Sequence, residues 1–316
     1  MFSVIIPLYN KVAFIESAIN SVLQQDYKDF EIIVINDGST DGGVELVSKK
    51  FGNNIKLINQ INSGVSAARN AGIANSKFPW VAFLDADDYW ASTYLSSLNK
   101  FIKDNSQINI IGSSYGSRLE DLECPLEINC FPIENYFKKA IKYTYFFTSA
   151  TAIRRDFFFK NSGFDPKIKL GEDLDVWFRA ILYYGKAFYI PHRLVFYNQN
   201  DLNAATKQKY LLSETLIYKI HKKDYFPWQS AYSNEDIKDF KKFKIKWTYF
   251  TLYPLFRSKE NFDDLSLFIR SLSNKYFLVR LFYLLPKTFI NAFVKSGFLS
   301  HHLRNYMKFC FRFIYK

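Results

Sequence analysis

Short apolar runs alternate with longer amphipathic stretches through the first hundred residues of the chain. Runs of consecutive apolar residues are typical of strands buried on both faces, and here they end at turn-forming residues such as Pro7 and Gly38. Between them, apolar side chains recur at intervals of three and four, which is the spacing of one helix face. The pattern predicts strands at 4–6, 32–35, 55–58, 80–84 and 108–111, and helices at 15–23, 43–50, 65–74 and 92–103.

This alternation predicts an α/β fold with a mostly parallel sheet flanked by helices on both faces. Further along, 146–160 reads as a strand leading into a short helix, another helix opens at 171–173, and 187–190 reads as a strand. Beyond residue 202 the pattern becomes helical, basic and aromatic. We therefore predict a first domain over 1–204 and a helical C-terminal region over 205–316.

The formal net charge of +12 over 316 residues lies almost entirely in this C-terminal region. Residues 1–204 contain 21 Lys and Arg against 22 Asp and Glu, a net charge of −1, whereas 205–316 contain 21 against 8, a net charge of +13. A neutral first domain argues against a nucleic-acid-binding protein. The apolar share of 48% excludes a mainly disordered chain.

Cysteine and histidine are scarce, which limits the chemistry that the chain can carry. Three cysteines do not form a disulfide framework, so we expect reduced thiols and a cytoplasmic setting. With four histidines, a metal site would depend on carboxylates. The first residues do not fit a secretory leader, and we expect no membrane-spanning segment because no apolar run reaches about 20 residues.

Polar clusters follow three of the predicted strands: Tyr9-Asn10, Asp37-Gly38-Ser39 and 85–88. Ligands of such sheets bind beyond the carboxyl ends of the strands, so we expect the clusters to meet at one ligand-binding edge. If the strand continues through 85–88, Asp85 and Asp87 project to the same side, as hard oxygen ligands for Mg²⁺ or Mn²⁺. The alternative is a polar strand end in which Asp88 or Ser92 caps the next helix.

Two further positions allow both a binding and a structural interpretation. Asp37 either holds a tight turn or accepts hydrogen bonds from a base or ribose. Arg69 lies in the first turns of the helix that follows Gly64, where it is either a surface arginine or a contact for a diphosphate or base edge.

Glu172 and Asp173 stand at the start of a helix, where acidic residues are favoured in any protein. The helix dipole lowers a carboxylate pKa, whereas a general base works best with a pKa near the operating pH. If Asp173 is a base, burial against a neighbour such as Trp177 should offset the dipole.

Five ordered segments resemble the family 2 glycosyltransferases over about residues 1–200. They are Ser3 to Asn10, Val34 to Asp41, Asn62 to Asn70, Leu84 to Asp88, and Gly171 to Trp177. The resemblance implies a GT-A fold and transfer of a sugar from a nucleotide diphosphate, usually with inversion at the anomeric carbon. It also implies Mn²⁺ or Mg²⁺ as the cofactor, with UDP as the expected nucleotide.

On the donor side, the resemblance implies that Tyr9 flanks the base, that Asp37 and Arg69 contact it, and that Asp85 lies near the ribose. It implies that Asp87 binds the metal, together with Asp85. The whole implied nucleotide-sugar site comprises Pro7, Tyr9, Asp37, Arg69, Asp85, Ala86 and Asp87.

On the acceptor side, the resemblance implies Asp173 as the catalytic base, supported by Glu172. Contacts with the acceptor or the leaving diphosphate are expected from Arg154 or Arg155, Trp177 and Asn200. Family members often continue with Tyr-Arg-x-His after the last strand, but this chain has Asn198 and Asn200 at the positions of Arg and His. Neutral amides stabilise less charge there, and His192 does not match the family position, so we interpret it as structural.

The C-terminal region suggests a surface contact. Arg304, Lys308, Arg312 and Lys316 recur every four residues between apolar and aromatic side chains. Such a helix fits an anionic membrane surface, and the alternative is a packed helical domain or an oligomer interface. We therefore expect an enzyme peripheral to the inner face of the cell membrane.

The expected reaction extends a glycan or lipid-linked glycan during the synthesis of surface polysaccharide, such as lipopolysaccharide or capsule. Two alternatives are a nucleotidyltransferase and a nucleotide-sugar-binding subunit without catalytic activity. The first would need a Gly-rich, basic loop after the first strand, which the sequence lacks.

Overall fold

The computed structural model describes residues 1–141, 143–199, 208–222, 225, 234–252, 255–256 and 262–315. The chain divides into two compact units. The first takes in residues 1–167 and 172–204, and the second takes in 168–171 and most of the chain after 204. The segment 168–171 therefore interrupts the first unit, in contrast to the continuous domain 1–204 expected from the sequence.

A mixed sheet of nine strands forms the centre of the first unit. Its strands are β1 (Phe2–Leu8), β2 (Phe30–Asn36), β3 (Lys56–Asn59), β4 (Trp80–Phe83), β5 (Tyr89–Trp90), β6 (Ile110–Gly116), β7 (Phe131–Pro132), β8 (Thr151–Arg154) and β9 (Phe188–Phe196). Their order is β3-β2-β1-β4-β8-β6-β9-β5, and β7 also pairs with β9. Strands β3, β2, β1 and β4 are parallel, as are β6 and β9, whereas β8 is antiparallel to both of its neighbours.

The α/β class and the predicted strands are confirmed, with differences at their ends. β4 ends one residue earlier than predicted, at Phe83, because the chain turns before the acidic cluster. β6 runs on to Gly116 and β9 to Phe196. The sequence did not indicate these extensions because Ser113 and Ser114, like His192 and Arg193, interrupt the apolar runs.

Seven helices accompany this sheet in the described part of the first unit. They are α1 (Ile15–Leu23), α2 (Gly43–Phe51), α3 (Val65–Ala74), α4 (Tyr94–Asp104), α5 (Tyr136–Lys139), α6 (Asp156–Lys160) and α7 (Glu172–Tyr184). The helices predicted in the first hundred residues are present, and the strand and short helix expected over 146–160 are β8 and α6.

Helices cover both faces of the sheet, as predicted. One face buries a cluster of β1 and α1 side chains: Val4, Ile6, Leu8, Ile15, Ile19 and Val22. On the other face, Ala68 of α3 shares a small buried cluster with Ile33 and Ile35. Gly72 lies so close to β1 that a Cβ atom there would be 2.4 Å from Ile5 Cγ2. Since real contacts are never that short, glycine at 72 allows α3 to pack on the sheet.

The second unit is helical where it is described. Its helices are α8 (Leu216–Ile220), α9 (Asn234–Thr251), α10 (Phe262–Ser271), α11 (Phe277–Tyr283), α12 (Lys287–Lys295) and α13 (Gly297–Phe309). Their buried core is rich in aromatic residues, including Tyr249, Phe256, Tyr276 and Tyr283. A helical C-terminal region is therefore confirmed.

The apolar side of α13 is narrower than the sequence suggested. Leu303 and Met307 point into the core of the unit, as do Cys310 and Phe311 in the π-helical turn Cys310–Ile314. Arg304, Lys308 and Arg312 are exposed, and Lys316 lies outside the described residues. The remaining apolar side chains are exposed beside the basic ones: Tyr306, Phe309, Phe313 and Ile314.

Within the described residues, no single helix has both the length and the apolar character needed to cross a membrane. One pair of consecutive helical segments, Asn274–Tyr283 and Lys287–Lys295, meets both criteria when the two are taken together, and the pair is bent by 79°.

Candidate active site

The carboxyl ends of β1, β2 and β4 lie side by side and bring the predicted polar clusters together. Leu8 is level with Asn36 on the neighbouring strand, and Ile5 is level with Phe83 on the other side. Tyr9 follows β1 with 48% of its surface exposed, while Pro7 before it is half-buried. The expected convergence at one edge of the sheet is therefore present.

Asp37 is buried and holds the loop that leads into α3. Its Oδ1 accepts hydrogen bonds from Gln60 Nε2 at 2.7 Å and from the Ser63 amide at 2.8 Å. Its Oδ2 accepts from the amide of Gly64 at 2.9 Å, where a φ of +86° requires glycine. A carboxylate offers about four acceptor positions, so Asp37 combines the structural role with capacity for a further donor.

Asp85 to Asp88 form a turn, so the alternation expected from a continuing strand is wrong. The Asp88 amide donates to the Asp85 carbonyl at 3.0 Å, and Ala86 is buried within the turn. Ser149 fastens the turn, because its Oγ accepts from the Asp85 amide at 3.0 Å and donates to Asp88 Oδ2 at 2.5 Å. The Asn198 amide donates to the other oxygen of Asp88 at 3.0 Å.

The suggested capping role of Asp88 or Ser92 is also wrong. Helix α4 begins at Tyr94, with Thr93 before it. Asp88 instead points inward, where burial raises its pKa well above the ordinary value, with a further increase from the charge of Asp85. Asp88 therefore stabilises the acidic turn and does not cap α4.

Arg69 joins the acidic turn to the start of α7. Only 3% of its side chain is exposed, its Nη2 lies 2.8 Å from Asp85 Oδ1, and its Nη1 lies 3.0 Å from Glu172 Oε1. Burial alone would lower the pKa of the guanidinium, but Asp85 and Glu172 together raise it above the ordinary value. A buried guanidinium engaged with two carboxylates corrects the interpretation of Arg69 as a surface arginine. Its contact with the base stays a prediction.

Glu172 and Asp173 begin α7 within this network. Thr148 Oγ1 donates to Asp173 Oδ2 at 2.9 Å, and the Leu174 amide donates to Oδ1 at 2.7 Å. Burial raises the pKa of Asp173 above its ordinary value in spite of Arg69 and these hydrogen bonds. Burial and then the charge of Asp173 raise the pKa of Glu172 to about 7. The burial expected to offset the helix dipole is therefore present.

Sequence reasoning missed the contribution of Lys11. Its Nζ lies 2.5 Å from Asp87 Oδ2, and both side chains are mostly buried. Burial, followed by the charge of Asp85, raises the pKa of Asp87, while Lys11 acts in the opposite direction. The sequence feature that could have indicated this role is a lysine directly after the Tyr9-Asn10 cluster at the end of β1.

Three of the expected acceptor or diphosphate contacts are not brought to the site. Trp177 is fully buried against Phe83 and Phe164, with ring centroids 5.9 and 6.1 Å away, so it presents no surface to an acceptor. Arg154 pairs with Trp80 across β8 and β4, at the opposite edge of the sheet. Its neighbour Arg155 hydrogen-bonds the Ser76 carbonyl at that edge.

The loop that departs from the family pattern is described in part. Asn198 reaches the site through its backbone amide, while Asn200 lies outside the described residues. His192 pairs with Glu123 at 2.9 Å in a partly exposed position, in line with a structural histidine.

The chemistry of the acidic turn fits a hard divalent cation. The described residues contain no group of three or more His, Cys, Asp or Glu side chains arranged to hold a metal. Asp85 and Asp87 nevertheless present carboxylate oxygens, the donors that Mg²⁺ and Mn²⁺ prefer, and the Lys11 ammonium beside Asp87 marks a position that accepts positive charge. Donor phosphates and water would have to complete the coordination sphere.

Residues 3–160, half of the chain, match the model of glycosyl transferase family 2. The chain belongs to this family. Among curated relatives, this chain is 37% identical to the glycosyltransferase EpsJ of Bacillus subtilis over 123 residues, which is 38% of this chain and 36% of EpsJ. It is 33% identical to the minor teichoic acid biosynthesis protein GgaA of the same species, over 58% of this chain and 43% of GgaA. The chain thus spans less than half the length of these two relatives.

Solved structures of low sequence identity share the fold. The chain superposes on residues 1–349 of Staphylococcus aureus TarS in complex with UDP-GlcNAc with a TM-score of 0.69, covering 93% of this chain and 91% of that chain at 17% identity. The mannosyltransferase PcManGT of Pyrobaculum calidifontis, solved with GDP-Man and Mn²⁺, gives a TM-score of 0.59 at 16% identity over 97% and 84% of the two chains. The GT-A-type fold is therefore confirmed.

Proposed function

We propose that this transferase moves a sugar from a UDP-linked donor to a hydroxyl of a glycan or lipid-linked glycan, with inversion at the anomeric carbon. The observation that carries the proposal is the convergence of Asp85, Glu172 and Asp173 around Arg69, with Asp87 next to them in the same turn. These acidic side chains come from separate parts of the sequence and meet where a parallel sheet binds ligands.

The donor would lie over the ends of β1, β2 and β4. Tyr9 offers an exposed ring for stacking, and Asp37 offers an acceptor for N–H or O–H groups of the nucleoside. Support for uridine comes from TarS, which was solved with UDP-GlcNAc, while PcManGT was solved with GDP-Man. Mn²⁺ or Mg²⁺ held by Asp85 and Asp87 would act as a Lewis acid on the departing diphosphate.

Asp173 would remove the proton from the acceptor hydroxyl. As that oxygen forms its bond to the anomeric carbon, the bond from this carbon to the diphosphate oxygen breaks, which inverts the configuration. Thr148 and the Leu174 amide fix the orientation of the Asp173 carboxylate. Its raised pKa makes Asp173 a stronger base than an ordinary aspartate.

The reaction can be tested with purified full-length protein, a panel of UDP-, GDP- and dTDP-sugars, and Mn²⁺. We expect a UDP-sugar to raise the melting temperature most and to be consumed, with the anomeric proton of the product indicating inverted configuration by NMR. Retained configuration would overturn the single-displacement mechanism. Preference for a GDP- or dTDP-sugar would overturn the uridine assignment alone.

We propose a polymer of the cell surface as the acceptor class. GgaA, with its role in minor teichoic acid biosynthesis, supports this class, as do relatives named chondroitin synthase and hyaluronan synthase, which match over 109 residues. Assays should therefore compare teichoic-acid-type acceptors with polysaccharide acceptors. Transfer to free monosaccharides alone would contradict the acceptor class.

We also propose that the second unit contacts an anionic membrane surface at the inner face of the cell membrane. The C-terminal face consists of exposed apolar and basic side chains: Leu278, Arg304, Tyr306, Lys308, Phe309, Arg312 and Phe313. Tyr306 Oη donates to the Leu278 carbonyl at 3.2 Å, which joins α11 and α13 in this face. No acidic residue occurs after Asp264, so nothing in that sequence opposes attraction to anionic lipids.

Vesicle binding tests the contact directly. Replacing Arg304, Lys308 and Arg312 by Gln should weaken binding to phosphatidylglycerol vesicles on the order of 100-fold, since each basic residue contributes about 1 kcal/mol. A matched control replaces three exposed lysines of the first unit by Gln: Lys100, Lys103 and Lys160. Equal binding of the two triple variants would refute the proposal, and so would self-association through this face without vesicle binding.

A further inference from the structure

The backbone around Lys11 is held in place by the neighbouring loop. Asn10 adopts a left-handed conformation with a φ of +51°, and its Oδ1 accepts a hydrogen bond from the Thr40 amide at 2.8 Å. On the other side of Lys11, the amide of Val12 donates to Asp41 Oδ2 at 2.8 Å. Anchors on both sides define where the lysine stem begins, so Lys11 is positioned more strictly than an ordinary surface lysine.

The ammonium of Lys11 contacts the acid that the proposed function assigns to the cation. The side chains of Lys11 and Asp87 are 19% and 15% exposed, and their Nζ–Oδ2 distance is 2.5 Å. Charge-assisted hydrogen bonds are roughly twice as strong as neutral ones, and partial burial reduces their screening by solvent. A cation that approaches Oδ2 of Asp87 therefore competes with an ion pair that is already formed.

We propose that Lys11 and a divalent cation are alternative partners of Asp87, so that the cation binds after the ammonium has left this carboxylate. The inference rests on the proposed function, which places the cation at Asp85 and Asp87. A divalent ion binds a carboxylate oxygen at about 2.0–2.6 Å. At such a distance from Oδ2 it would lie within a few ångströms of the ammonium and would repel it strongly.

A donor diphosphate would give the displaced ammonium a new partner. The four-carbon stem of lysine lets Nζ move by several ångströms while the anchored backbone stays in place. A donor diphosphate would bring negative charge to the same turn and offer the ammonium a new partner. Lys11 would thus make cation binding depend on the donor, because the ammonium leaves Asp87 most readily when a diphosphate is present.

Mn²⁺ binding to the full-length chain, measured by electron paramagnetic resonance of the free ion, tests this exchange. With Mn²⁺ alone, Lys11→Met should bind the ion more tightly than the wild type by about tenfold, the order of one charge-assisted hydrogen bond. With saturating UDP, this gain should disappear, because the wild-type ammonium has then left Asp87. A general effect of removing one positive charge would instead persist with UDP, and that outcome would overturn the inference.

Matched variants make the result specific. Lys11→Arg, which keeps the charge, should retain wild-type Mn²⁺ affinity. Lys50→Met removes another ammonium that pairs with a carboxylate, Glu16, at 2.7 Å on the surface, and it should leave Mn²⁺ binding unchanged. Circular dichroism and melting temperatures should verify that the Lys11 variants are folded.

The outcomes also separate this inference from the proposed function. Equal Mn²⁺ affinity of wild type and Lys11→Met would overturn the exchange and leave the cation site intact. Wild-type affinity in Asp87→Asn would place the ion elsewhere and overturn the exchange. No Mn²⁺ binding by the wild type, with or without UDP, would overturn both the exchange and the proposed cation.

Discussion

The two edges of the central sheet, meaning the opposite ends of its strands, differ in how deeply their ion pairs are buried. At the carboxyl end of β4, Arg69 is almost fully buried between Asp85 and Glu172. At the opposite end, Arg154 faces Asp156 at 3.5 Å, with 42% and 41% of the two side chains exposed. Buried and exposed ion pairs of the same chemical type are thus separated by the length of one strand.

The difference shows how strand direction decides which residues reach the site. β8 is antiparallel to β4, so the residues just before β8, Thr148 and Ser149, lie beside the acidic turn. Arg154, at the end of β8, is carried to the other edge, about 10 Å away at 3.3 Å per residue. Sequence proximity to a catalytic motif is therefore a poor guide where a strand reverses direction.

The largest contrast between the edges should appear in catalysis. Asp173→Asn removes the proposed base and should lower kcat by about 10²–10⁴-fold while donor binding is retained. Asp156→Asn, at the opposite edge, should leave kcat unchanged. Steady-state kinetics and donor titrations of both variants measure the contrast, and similar kcat values for the two would contradict the assignment of the base.

The next contrast concerns stability. Arg69→Met leaves the partly buried carboxylates of Asp85 and Glu172, which are 29% and 14% exposed, without their common partner. The free energy of unfolding should therefore fall by about 3 kcal/mol, the lower end of the cost of breaking a buried pair. Urea denaturation at pH 8 would measure the loss. A decrease below about 1 kcal/mol would mean that the two carboxylates find other partners or water, and it would remove the difference between the edges.

A pH dependence should distinguish Glu172 from exposed acids. Its pKa is about 7 in the folded protein and near the ordinary 4.5 when unfolded, so the folded state binds the extra proton between these values. The free energy of unfolding should therefore decrease as pH rises from about 4.5 to 7, by on the order of 2–3 kcal/mol. Glu172→Gln should flatten this part of the stability profile, and an unchanged slope would show that other groups cause it.

The smallest effect is expected at the far edge. Arg154→Met removes an exposed ion pair and should change the free energy of unfolding by at most about 1 kcal/mol, with unchanged kcat and KM. Urea denaturation and kinetics check both expectations. An increased KM for the acceptor would reinstate Arg154 as an acceptor contact and erase the distinction between the edges.

Most of the first unit could be predicted from the sequence because its signals are local. Apolar runs such as 4–6 and 32–35 indicate buried strands, and the turn residues after them indicate which end carries the ligand. The predicted positions of Asp37 and Asp85 followed from these signals. The direction of strand β8 relative to its neighbours could not be predicted in this way, since its sequence pattern is the same whether it pairs parallel or antiparallel.

The contacts inside the site could not be predicted from local sequence patterns because they join residues that are far apart in the sequence. Asp88 points inward since Ser149 and Asn198, far away in sequence, supply its hydrogen bonds. Arg69 could be recognised as a candidate from its helix, but its two partners lie 16 and 103 residues away along the chain. Lys11 went unrecognised because a single lysine after a strand is common.

Ser149 forms hydrogen bonds with three neighbouring residues, Asp85, Asp88 and Trp90. Its hydroxyl links the Asp85 amide to Asp88, and its carbonyl accepts the indole N–H of Trp90 at 2.6 Å. Substitutions at 88, 90 and 149 should consequently be non-additive, with double variants less harmful than the sum of the single ones. Among divergent homologues, these three positions should covary, and a mutational library should tolerate change there mainly in combination.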